Sequence, residues 1–214
     1  MTMPGRSSKR ARVGVLVSGR GSNLAALLGD AAREDAPYEV ALALSNRPEA
    51  PALERARAAG VTALGIDRAL FTGRLAHHLE LLRLLREHGV DLVVCAGFDQ
   101  ILVPAVIEAY PDRILNVHPS LLPAFAGTLH AQEEALAHGV KVSGCTVHLV
   151  TAEPDAGPIV AQGVVPVEEG DTVETLSARI LEQEHQLLSR AVRLVATGRV
   201  RVEGRRTVIL PPNP

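Results

Sequence analysis

Residues 13–28 read VGVLVSGRGSNLAALL. The β-rich run VGVLVS passes through Gly19-Arg20-Gly21-Ser22-Asn23 directly into the helix pattern LAALL. A strand that turns on glycines into a helix is the opening unit of a parallel α/β sheet. The alternation continues. Strand patterns at 38–44, 61–66, 91–96 and 113–118 are separated by helix patterns at 51–59, 74–88 and 103–109, after a first helix over 23–33. Gly60 and Gly89 read as helix stops. Beyond residue 140 the pattern changes to two long β-rich runs, 142–150 and 159–167, split by the turn TAEPDAGP. A long helix pattern follows over 172–196, with Asp171 as its N-cap candidate and Gly198 as its stop. Residues 200–203 and 207–210 then read as a hairpin around Gly204-Arg205-Arg206. The expectation is an α/β fold: a Rossmann-like, mostly parallel sheet with helices on both faces and a short carboxyl-terminal β-hairpin. It comprises one domain over 13–198, a flexible basic tail over 1–12, and hairpin and tail over 199–214.

Composition agrees. Hydrophobic residues make up 47% of the 214, but aromatics only 2%, so Val, Leu, Ile and Ala must fill the core. That mix suits buried parallel strands covered by helices. A net charge of -2 argues against a nucleic-acid partner bound through a broad basic surface. No apolar run is long enough for a membrane span, and the first residues lack the apolar stretch of a secretion signal. Cys95 and Cys145 each sit in an apolar strand-like run, which reads as two buried free thiols in a reducing, cytoplasmic setting. The expected partners are small molecules, with monomer and homodimer both open. The histidines show no metal-ligand spacing with Cys or carboxylates, so no metal is expected.

In open α/β sheets ligands bind beyond the carboxyl ends of the strands. That rule selects residues 18–22, 45–49, 97–100 and 116–127. At the first of these, glycines let backbone approach a ligand, and the helix start behind them offers free N–H groups and a positive dipole end. Ser22 and Asn23 can cap that helix or donate to a phosphate; a tight turn whose glycines serve geometry alone is the bland alternative. A dinucleotide fits poorly. Leu24 stands where a third glycine would be, and the second strand ends in Ser45-Asn46-Arg47 with no acidic residue for a ribose. Arg47 keeps an NADP 2′-phosphate open.

Asn116 and His118 in ILNVHPSLLP share one face of a strand that ends at Pro119. A carboxamide donor and an imidazole suit acyl transfer. The first steadies charge gathering on a formyl oxygen, and the second moves a proton. An amine attacks an activated formyl group directly, so no Ser or Cys nucleophile is needed. A buried His bonded to backbone is the alternative. Asp155, in the turn before Gly157, would favour the charged form of His118 and fix its orientation if the two met; a solvated turn is the commoner fate of Asp-Ala-Gly.

From about Val13 to Val195 the chain resembles the phosphoribosylglycinamide formyltransferases. The resemblance rests on VLVSGRGSNL, SNRPEAPALERARAAG, VVCAGFDQIL, ILNVHPSLLP, VSGCTVHLV, the turn Asp155-Ala156-Gly157-Pro158, and Gln183-Glu184-His185. It implies 10-formyltetrahydrofolate as co-substrate and glycinamide ribonucleotide as the amine. It implies Asn116, His118 and Asp155 as the catalytic trio, with His118 as general acid. Gly21, Ser22 and Asn23 would hold the phosphate, and Glu184 would meet the ribose, with Glu182 and Gln183 beside it. The backbone of Asp99, Gln100, Ile101 and Leu102 would wrap the folate, together with Asn116 and the loop Thr151, Ala152, Glu153, Pro154 and Asp155. Arg74 matches a basic ligand-contacting position, and His148 a supporting one. The sequence departs from the family at Asp99-Gln100, where an apolar and then a basic residue are usual. It departs again at Ala126, where proline usually stands, and by one extra residue near Thr128.

Methionyl-tRNA formyltransferases share the trio but carry a further carboxyl-terminal domain, and formyltetrahydrofolate hydrolases a further amino-terminal one. Sugar-nucleotide formyltransferases usually lack the GRGSN turn. The expectation therefore favours the purine enzyme over a hydrolase or another amine formyltransferase. An NADP-dependent oxidoreductase would leave NVHPSLLP unexplained.

Overall fold

The computed structural model describes residues 10–212. Its elements are β1 (Ala11–Val17), α1 (Ser22–Ala31), β2 (Tyr38–Ser45), α2 (Pro51–Ala58), β3 (Thr62–Gly65), α3 (Arg74–Glu87), β4 (Leu92–Cys95) and α4 (Pro104–Ala109). There follow β5 (Ile114–His118), α5 (Ala131–Ala137), β6 (Val142–Leu149), β7 (Ile159–Pro166), α6 (Val173–Ala196), β8 (Val200–Glu203) and β9 (Arg206–Ile209). Seven strands form one sheet in the order β3-β2-β1-β4-β5-β6-β7. The first five run parallel, and β6 and β7 add antiparallel. This is the expected mostly parallel sheet, and the hairpin β8–β9 is present.

Alternation along the strands assigns the two layers. Val13, Val15 and Val17 point with Leu115, Val117, Cys145 and Val147 toward α1, α2 and α6. Leu16, Leu42, Leu44, Val93 and Ile114 point to the other face, under α3 and α4. Strand order reverses between β1 and β4, and there the sheet's carboxyl edge opens a crevice. The two strand ends are tied across it, the Ser18 N–H donating to Gly97 O at 2.9 Å.

Helix α6 shows how the sequence sets its burial. Leu176, Ile180, Glu184 and Leu188 recur every fourth residue, so one stripe faces the core, and a carboxylate occupies a position in it. Its N-cap is Thr172, which forms a capping box with Thr175, rather than the expected Asp171. Asp171 instead accepts from Thr175 Oγ1 and pairs with Arg179 at 2.8 Å.

Three local expectations change. Strand β1 starts at Ala11, not residue 13, because charged side chains at its start find partners. Arg10 Nε donates to Tyr38 O at 2.9 Å, and Arg12 pairs with Glu39 at 2.6 Å. Of the expected tail, residues 1–9 lie outside the described residues, as do 213–214. Helix α5 was not anticipated. Only Ala131 and Ala135 of it are buried, so its apolar face has too little contrast to register as a period. Residues Arg68–Leu70 form a short 3₁₀ turn, its N-terminus capped by Asp67. Among the described residues no helix is long and apolar enough to cross a membrane.

Candidate active site

Asn116 and His118 lie at the end of β5 on the α3–α4 face, as their spacing requires, and β6 supplies what stands beside them. In the antiparallel register Asn116 pairs with His148, and His118 with Thr146. Asn116 Nδ2 is 3.2 Å from His148 Nε2. His148 Nδ1 donates to Leu149 O at 3.0 Å, so in the neutral ring Nε2 is the acceptor. With the ring neutral, the carboxamide turns its NH₂ toward His148 and has a second N–H for a ligand.

Asp155 reaches the same point from the loop after β6. Its Oδ2 is 3.4 Å from His118 Nδ1, and its Oδ1 is 3.5 Å from His148 Nε2. The Gly127 N–H donates to Oδ2 at 2.9 Å. Asp155 sits at φ 51, left-handed backbone that Asp tolerates better than most residues. Gly157 lets the turn lie against β6, since a Cβ there would stand 1.8 Å from Leu149 O. Burial works against the Asp155 charge. A hydrogen bond from His148 Nε2, which requires the protonated ring, and one from the Gly127 N–H, together with positive charge on the His118 and His148 rings, outweigh it and hold the carboxyl below its usual range.

His118 is 5% exposed, and its Nε2 lies 2.8 Å from Phe125 O. Both ring nitrogens therefore face acceptors, and only the doubly protonated ring donates to both. Carboxamide, imidazole and carboxylate thus converge, with His148 between the first and the last. The resemblance gives His148 only a supporting position, whereas the structure sets it in contact with Asn116 and Asp155. The alternation of buried Cys145, Val147 and Leu149 toward α6 was the available signal, since it puts His148 on the opposite face with Asn116.

These groups form one end of a cavity of about 600 Å³, whose walls include Leu102, Ile107 and Val150. Asp99, Gln100, Ile101, Thr151 and Pro154 also line it. Ala152 and Glu153 do not; both are exposed. Arg74 lines a neighbouring cleft of about 720 Å³, which shares Asp99, Gln100 and Ile101 with the first.

Asp99 and Gln100 have local partners. Asp99 Oδ1 accepts from Asn46 Nδ2 at 2.8 Å, its other oxygen pairs with Arg47, and its N–H donates to Ser18 Oγ at 3.0 Å. Burial opposes its charge, but these bonds to Asn46, Ser18 and Arg47 prevail and lower its pKa. Arg47, considered above for a 2′-phosphate, is thereby committed to Asp99. Gln100 Oε1 faces His78 Nε2 at 2.7 Å.

The glycine turn lies on the other side of the crevice. Gly21 has φ 74, and a Cβ on it would stand 2.5 Å from Ala52 Cβ, so both backbone and packing require glycine. No side chain caps α1, contrary to one expected role of Ser22 and Asn23, and the first N–H groups of that helix remain as donors. Asn23 Nδ2 donates instead to Glu184 Oε2 at 2.7 Å. Asn23 Oδ1 is buried without a partner. Burial raises the Glu184 pKa to about 7, against the pull of the Asn23 hydrogen bond. Gln183 packs beside Gly163 of β7. Glu182 is exposed, and two residues along a helix turn it away from the Glu184 face. Among the described residues no group of three His, Cys, Asp or Glu side chains is placed to hold a metal ion.

Residues 11–192 match the family described as formyl transferase. A phosphoribosylglycinamide formyltransferase of Mycobacterium tuberculosis is 47% identical over 92% of this chain and 91% of that protein. The trifunctional purine biosynthetic protein adenosine-3 of Bos taurus is 42% identical over 91% of this chain, which spans only 19% of that longer protein. A crystal structure of glycinamide ribonucleotide transformylase 1 from Symbiobacterium toebii superposes with a TM-score of 0.94 at 50% identity, covering 99% of both chains.

Proposed function

The chain belongs to the formyl transferase family, and from that premise we propose that it transfers the formyl group of 10-formyltetrahydrofolate to the amine of glycinamide ribonucleotide. The observation that carries this reading is the meeting of Asn116, His118 and Asp155 within 3.5 Å contacts at the end of a largely apolar cavity, reached through His148. An apolar chamber with a few convergent polar groups suits a planar heterocycle bearing a reactive substituent.

In this reading Asn116 turns its free Nδ2–H to the formyl oxygen, where negative charge gathers as the amine attacks. One such donor is worth roughly 2.7–4 kcal/mol. His118 passes a proton to the reacting centre, and Asp155 keeps the charged ring in place. The chain at Asp99–Leu102 and at Thr151 lines the donor cavity. Across the crevice, the uncapped N–H groups at Ser22 and Asn23 meet a phosphate, and the Asn23–Glu184 pair meets ribose hydroxyls. The partners are small molecules, and the compartment is the cytoplasm, which suits two buried free thiols.

The test is formyl transfer followed by folate absorbance. Turnover dependent on glycinamide ribonucleotide is expected. His118→Asn should lower kcat by about 10²–10⁴ while both substrates still bind. Turnover without any amine would make the chain a hydrolase. NADPH binding without turnover would replace the reading by an oxidoreductase.

A further inference from the structure

One wall of the donor cavity is held by a buried histidine to which no role has been given. His78, on α3, is fully buried. Its Nδ1 is 3.2 Å from the Val103 N–H, which can only donate, so Nδ1 is the acceptor and Nε2 carries the proton. That proton is directed at Gln100 Oε1, 2.7 Å away. The amide of Gln100 is thereby oriented, its oxygen inward, while its Nε2 is buried with no partner. One imidazole thus grips the stretch 100–103 at both ends, and Gln100, Ile101 and Leu102 of it line the 600 Å³ cavity.

We propose that His78 is a positioning residue for the donor cavity: through Gln100 Oε1 and the Val103 N–H it holds residues 99–103 in the shape that receives the formyl donor. The inference rests on the formyl-transfer reading above. Burial keeps His78 below the usual histidine range, opposed only in part by the Gln100 bond, so the neutral ring with one donor and one acceptor is the form that persists. A charged side chain at position 100 would lose this neutral partnership. Its neighbour Asp99 is anchored separately, to Ser18, Asn46 and Arg47.

The experiment measures the affinity for 10-formyltetrahydrofolate by calorimetry, with glycinamide ribonucleotide as the control ligand. The variants are His78→Phe, Gln100→Leu and the double variant. His78→Phe keeps a ring but removes both nitrogens. Losing one or two neutral hydrogen bonds predicts a donor Kd raised about three- to tenfold in each single variant. Because both changes break one linkage, the double variant should be about as weak as the weaker single. The control Kd should move less than twofold. If the two effects multiply, if both ligands weaken equally, or if the donor Kd does not change, the inference is wrong. Should His78→Phe fail to fold, Gln100→Leu decides alone, through a donor Kd that rises or does not. A wild-type chain that binds no 10-formyltetrahydrofolate would overturn both the inference and the reading beneath it. Normal donor binding in every variant would overturn the inference only.

Discussion

Glu184→Gln tests the glycine-turn half of the site through folding alone. Glu184 interrupts the apolar stripe of α6 and is 7% exposed, its one named partner being the Asn23 amide. Burial moves its pKa from the usual 4.5 to about 7. A folded-state value above the unfolded one means that the native protein holds the proton more tightly. The stability linked to that proton is full below about pH 4.5 and is lost as pH rises through about 7. At about 1.4 kcal/mol per pH unit the displacement corresponds to about 3 kcal/mol. Glutamine mimics the protonated acid and still accepts from Asn23 Nδ2. The variant should therefore be more stable than wild type by about 2–3 kcal/mol at pH 8 and equal to it near pH 4. Urea unfolding followed by circular dichroism at both pH values measures this. A stability difference that stays constant with pH would show that Glu184 is not held as a desolvated acid.

Asp155→Asn keeps an oxygen for the Gly127 N–H but removes a charge 3.4 Å from His118 Nδ1, so kcat should fall by about 10²–10⁴ with little loss of fold. Because its carboxyl is held below the usual range, the Asp155 charge stabilises the native state above about pH 4 and ceases to as pH falls through the folded value. The stability gap between variant and wild type should therefore close in acid, and a gap that widens there would contradict the assigned contacts. Gly157→Ala places a methyl 1.8 Å from Leu149 O and must push the 155–158 turn off β6. We expect about 2 kcal/mol of destabilisation, a Tm lower by about 4–8 °C, and reduced turnover. An unchanged Tm would refute the packing argument.

Much of the framework was legible because its signals are local. The glycine stops after α2 and α3, the β-rich runs of β4 to β7 and the fourfold stripe of α6 each depend on residues close together in the chain. The same alternation placed Asn116 and His118 on one face of β5. What escaped had weak local contrast or a distant cause. The face of α5 is alanine, the start of β1 is masked by Arg12, and the N-cap of α6 fell to Thr172 because Asp171 is engaged by Arg179.

The sequence by itself determined the order of the strands and of every helix but α5, the glycine turn, and the carboxamide–imidazole pair, since backbone periodicity and steric freedom are properties of neighbouring residues. Only the tertiary structure decided that Asp155 meets His118, that His148 stands between Asp155 and Asn116, and that Glu184 is buried against Asn23. Apart from the short-range His148–Asp155 contact, these join residues more than 30 positions apart, brought together by an antiparallel register, a strained turn and a helix crossing. Their protonation and orientation follow from desolvation and partner geometry, which exist only once the chain has folded.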